Sequence, residues 1–78
     1  MLEKIKIKVD TIEKVKDFHE QTKKYSGREL VIKQGKYTID GFSIMGIFSL
    51  NTLEPMELYY EDECSEEAEM MFGKWEVK

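Results

Sequence analysis

A chain of 78 residues, 41% hydrophobic and 36% charged, suffices for one domain spanning residues 1–78 and leaves no room for a second core. Its net charge of −4 gives no electrostatic reason to bind nucleic acid, and no apolar run approaches the roughly 18 residues of a membrane span. Cys64 is the only cysteine, which excludes an internal disulfide and a cysteine metal cluster. The N-terminal MLEKIKIKVD is too charged for a signal peptide, so the expected setting is a reducing cytoplasm, with no insertion into a membrane.

In chain order, EKIKIKVD alternates strictly, with Ile5, Ile7 and Val9 on one face and Lys4, Lys6 and Lys8 on the other, the pattern of a half-buried strand. Asp10 with Glu13 three residues later forms a variant capping box and predicts a helix start. Ile12, Val15, Phe18, Thr22 and Tyr25 then recur at helical spacing and predict one inward face, ended by Ser26-Gly27. RELVIKQGKYTID reads as a hairpin turning at Gln34-Gly35, with Leu30 and Ile32 on one strand and Tyr37 and Ile39 on the other facing the core. After Gly41-Phe42, Ser43 is placed to cap a short helix, Ser43–Leu50. Asn51 to Pro55 read as a loop, and MELYYE as a strand with Met56, Leu58 and Tyr60 inward. Ser65 is the expected N-cap of a last helix carrying Ala68, Met71 and Phe72, ending near Gly73, with Trp75 over the edge of the core.

The order βαββαβα, with every strand apolar on one face only, predicts an α+β open-faced sandwich whose sheet is covered by helices on one side. Charge is placed unevenly along the chain: the strand of lysines near the start and the strand of Glu57 and Glu61 complement one another. Set side by side and antiparallel, they would make opposite-charge cross-strand pairs.

The helix SIMGIFSL carries Ile44, Met45, Ile47, Phe48 and Leu50 over an arc of roughly 220°, where a surface helix needs a stripe of only about 100°. Ile47 and Leu50 can point to the core. Ile44, Met45 and Phe48 are expected to stay partly exposed, and an exposed apolar cluster of this kind marks a protein-binding surface. His19 is the sole histidine and lies at the border of the first helix's apolar face, without partners for metal binding. The sequence shows no nucleophile–base pair, no metal-ligand spacing and no glycine-rich phosphate loop, so neither an enzyme nor a bound cofactor is expected.

The element order together with Ser43-Ile44-Met45-Gly46 and Ser49-Leu50 resembles the histidine-containing phosphocarrier protein (HPr) of the bacterial sugar phosphotransferase system, from the first strand to about Phe72. The resemblance implies a four-stranded antiparallel sheet of order 1-4-2-3. It also implies that the Ser43 helix docks phosphotransferase enzymes, a serine kinase or a transcriptional regulator, and that Ser43 is a site of regulatory phosphorylation. The family's phosphohistidine motif, His-Ala-Arg-Pro, is not matched: Thr11 stands in the histidine's place and Glu13 in the arginine's. With Asp10 expected to cap the helix and Glu13 adding negative charge, a phosphoryl group would meet repulsion at that tip. The implied function is a non-catalytic regulatory or protein-binding module with a degenerate site at Asp10, Thr11 and Glu13. The alternative is a phosphocarrier that accepts the phosphoryl group at an atypical residue such as His19.

Overall fold

The alternating and periodic segments fold as four strands and three α-helices in a computed structural model that describes residues 2–25 and 27–77. β1 (Leu2–Ile7) leads to α1 (Ile12–Lys24), the hairpin of β2 (Leu30–Gln34) and β3 (Tyr37–Asp40), then α2 (Ile44–Phe48) and β4 (Met56–Glu61). A 3-10 turn, Asp62–Cys64, runs directly into α3 (Ser65–Phe72), and a second, Gly73–Trp75, follows it. All strand pairs are antiparallel, in the order β1-β4-β2-β3: the class is the α+β that the alternation predicts, β1 lies beside β4 as the lysine–glutamate complementarity predicts, and the full order is the one the resemblance implies.

Period-two alternation sorts the sheet into an inner face of Ile7, Leu30, Ile32, Met56, Leu58 and Tyr60, all buried, and an outer face carrying Lys4, Lys6, Lys33, Glu57 and Tyr59. The helices close the inner face with Val15, Phe18 and Thr22 from α1 and Tyr25 at its C-cap, Ile47 from α2, and Ala68 and Phe72 from α3. Aromatic rings seal the α1–α3 side: Phe18 lies 5.2 Å from Phe72 and 5.4 Å, edge-on, from Trp75, and Tyr25 lies 5.6 Å from Phe72. Trp75 is thus part of the core. The residues after it extend the sheet, because Lys8 N–H donates to the Trp75 carbonyl at 3.0 Å and Val77 N–H to the Lys6 carbonyl at 2.8 Å.

The structure departs from the sequence reading in local detail. Ile12 is 64% exposed, because at about 100° per residue it falls on a flank of α1 with Lys16 and His19 and off the face of Val15, Phe18 and Thr22. Tyr37 is 59% exposed because it sits on the edge strand, beyond the reach of the helices, whereas Ile39 packs partly against the core. The hairpin turn is Gly35-Lys36, with Gln34 paired to Tyr37; φ is +59° at Gly35 and not positive at Lys36, as a type II′ turn requires. Ser65 does not cap α3: the 3-10 turn feeds the helix directly, and Cys64 in the cap position makes no side-chain bond. Gly27 does take a left-handed conformation, φ +88°, just past α1, while the expected stop at Ser26 lies outside the described residues.

Candidate docking surface

The tip of α1 is organised differently from the capping-box expectation. Thr11, not Asp10, is the N-cap: its Oγ1 accepts from Lys14 N–H at 3.0 Å, and its backbone is extended as a cap requires. Asp10 instead accepts from Lys14 Nζ at 2.9 Å, and this hydrogen bond holds the Asp10 carboxyl below its ordinary value. The correction is one residue in register, because both Asp10 and Thr11 are good caps and Lys14 is in reach of either. Its consequence for chemistry is slight. Thr11 occupies one first-turn amide, that of Lys14, and Glu13 stands exposed in the same turn.

α2 begins as expected at Ser43, whose Oγ accepts from Gly46 N–H at 3.0 Å. Its entry is fixed by Asp40: the carboxylate accepts from Phe42 N–H at 2.9 Å and the backbone carbonyl from Ser43 N–H at 3.1 Å. At its end, Ser49 Oγ donates to the Gly46 carbonyl at 2.5 Å. So held, the helix buries Ile47 and, just beyond it, Leu50, and leaves Ile44 partly buried against the core. Met45 is 75% exposed and Phe48 41%. Neither α3 nor Trp75 folds over them.

Two further apolar side chains, Ile12 and Leu53, are exposed near α2. At about 100° per residue, Ile12, Lys16, His19 and Lys23 share one flank of α1, and Lys14, Asp17 and Gln21 the other. Asp10, Lys14 and Asp17 line a concavity with Trp75, on the α3 side, so the flank of Ile12 and His19 is the one turned toward α2. Leu53, 68% exposed, follows α2 in a loop pinned to β2 by the Gln34 amide, which donates to the Asn51 carbonyl at 2.7 Å and accepts from Asn51 N–H at 2.9 Å. The signal for Ile12 as a surface residue is its angular place beside Lys16 and His19, at the border of the inward face to which its apolar side chain alone assigns it.

His19 is half-buried in the middle of α1, with Nδ1 shut from solvent and without a hydrogen-bond partner. The backbone amides around it are committed to the helix and offer nothing to an anion. Among the described residues, no three His, Cys, Asp or Glu side chains are grouped as metal ligands, and no helix is long and apolar enough to cross a membrane. No protein-family model, curated protein or solved structure matches the chain.

Proposed function

We propose that the chain is a non-catalytic, HPr-like interaction module that docks a protein of the sugar phosphotransferase system, its serine kinase or a regulator through α2. The observation that carries this reading is the exposure of Met45 and Phe48 on a helix that buries Ile47 and, just past its end, Leu50. Ile44 at the margin and Ile12 on the adjoining flank of α1 extend the apolar area, and methionine adapts to differently shaped partners. In this reading the protein works in the cytoplasm, and Ser43 serves twice: as a helix cap, and as the residue whose phosphorylation would add charge in the middle of the docking surface. The degenerate tip at Asp10, Thr11 and Glu13 makes the module a binder in place of a phosphoryl donor.

The test uses purified partners. Binding of the first enzyme of the system is measured by calorimetry for the wild type and for Met45→Asp with Phe48→Asp, and phosphoryl transfer is followed with labelled phosphoenolpyruvate beside an authentic carrier. Binding that the double substitution abolishes, without stoichiometric acid-labile label, is the expected result. Stoichiometric label would establish the phosphocarrier alternative, and its loss in His19→Ala would name the acceptor. Failure of the first enzyme, the kinase and the regulator all to bind would sink the reading.

A further inference from the structure

The two outer strands of the sheet are treated differently. Beside β1, the backbone of residues 75–77 closes the Ile7 end through the Lys8–Trp75 and Val77–Lys6 hydrogen bonds. Beside β3 there is no strand among the described residues. The direction in which β3 presents its free backbone follows from one bond. Gly41 N–H donates to the Leu30 carbonyl at 2.8 Å, making Leu30–Gly41 a hydrogen-bonded pair. Antiparallel pairs alternate, so Ile32–Ile39 and Gln34–Tyr37 are hydrogen-bonded pairs too, and Thr38 and Asp40 turn their N–H and C=O groups away from β2. The Asp40 carbonyl is occupied by Ser43 N–H, but both groups of Thr38 face the open edge.

We propose that this edge pairs with the same edge of a second copy of the chain, antiparallel about a twofold axis at Thr38. The register is self-complementary. Thr38 lies opposite Thr38, each donating to and accepting from the other; Lys36 of each copy lies opposite Asp40 of its partner; and Tyr37 lies opposite Ile39. Asp40 keeps its carbonyl for Ser43 and offers its N–H to the partner's Lys36 carbonyl. Because opposed residues share a face, Tyr37 and Ile39 remain on the inner side, and the helices of both copies cover one continuous sheet. The pairing gives the exposed Tyr37 ring an apolar neighbour, beside the shallow concavity that Leu30, Ile39 and Phe42 help to line. The same operation on β1, centred at Lys4, would set Glu3 against Ile5 and lysine against lysine, with residues 75–77 in the way at one end. The charge pattern selects β3. Its shortness makes the association weak and reversible, below the area of a standing dimer.

Sedimentation velocity and concentration-dependent amide shifts of the full chain test the pairing. A reversible dimer is expected, with shifts on dilution concentrated between Lys36 and Phe42. Thr38→Pro removes an N–H that points away from β2, a position where an edge strand accepts proline, and is expected to abolish the dimer. Lys36→Glu sets like charges opposite twice over and is expected to weaken it roughly tenfold. Met45→Asp leaves the dimer as it is, so the outcome is independent of docking through α2. A chain monomeric at about 1 mM, or a dimer whose affinity neither Thr38→Pro nor Lys36→Glu changes, overturns the proposal.

Discussion

Thr11 and Ser43 each close one amide that a helix start would leave open, and each does so from an extended backbone. Replacing either with alanine is expected to cost about 0.5–2 kcal/mol in urea unfolding, whereas Glu13→Ala, which removes no cap, should leave stability nearly unchanged. Ser43 could be read directly as a cap because no competing hydroxyl or carboxylate adjoins it. At Asp10-Thr11 the sequence offers two caps in a row, and only the three-dimensional reach of Lys14 separates them. Tyr25 makes a different residue-scale prediction. It is fully buried, no hydrogen bond closes on its hydroxyl, and burial pushes its phenol up to about 12, with the adjacent Cys64 adding to the effect. A folded value above the unfolded one means stability complete below about pH 10 and lost as the pH rises from there towards 12. Tyr25→Phe should therefore be nearly neutral at pH 7 and flatten that alkaline loss in pH-dependent denaturation.

Among the elements, the connection from β3 to α2 tolerates least. A Cβ on Gly41 would lie 2.7 Å from Leu30 Cγ and 3.0 Å from the Leu30 carbonyl carbon, so the close approach of the two strands depends on the missing side chain. Gly41→Ala is expected to destabilise by about 1–3 kcal/mol, measured by the urea midpoint at constant slope. The Gln34 amide clamp on Asn51 is worth roughly one or two ordinary hydrogen bonds; Gln34→Ala should raise amide exchange at Asn51 while leaving β2 and β4 protected. Each strand could be read from its alternation and α1 from its period. What the pattern missed lies at element ends, at Tyr37 and Ser65, where the neighbour that would cover or bypass a residue is set by the packing of other elements.

Across the whole molecule, the lysine and glutamate strands do lie side by side, and Lys4 Nζ reaches Glu57 diagonally at 2.8 Å, with Lys6 directly opposite Glu57. The same kind of contact holds the carboxyls of Asp10, Glu20 and Glu57 below their ordinary values through hydrogen bonds from Lys14, Lys23 and Lys4. Their stabilisation is complete above the unfolded carboxylate range, about pH 4–4.5, and is lost as the pH falls through the lower folded values. The pairs are exposed, so this acid-side loss should be shallow and further reduced by salt. The larger determinant is the ring cluster. Trp75→Ala opens the Phe18–Phe72 seal and is expected to cost about 3–5 kcal/mol in urea unfolding, much of the stability of a domain this small.

The sequence by itself determined the class, the lysine and glutamate strands as neighbours and the surplus of apolar residues on the Ser43 helix, because periodicity and charge pairing act between near neighbours in the chain and in the sheet. Only the tertiary structure decided which greasy residues stay in water, which of two adjacent caps is used and which strand edge lies open. Those outcomes depend on where a helix ends over a sheet, a distance no local pattern encodes.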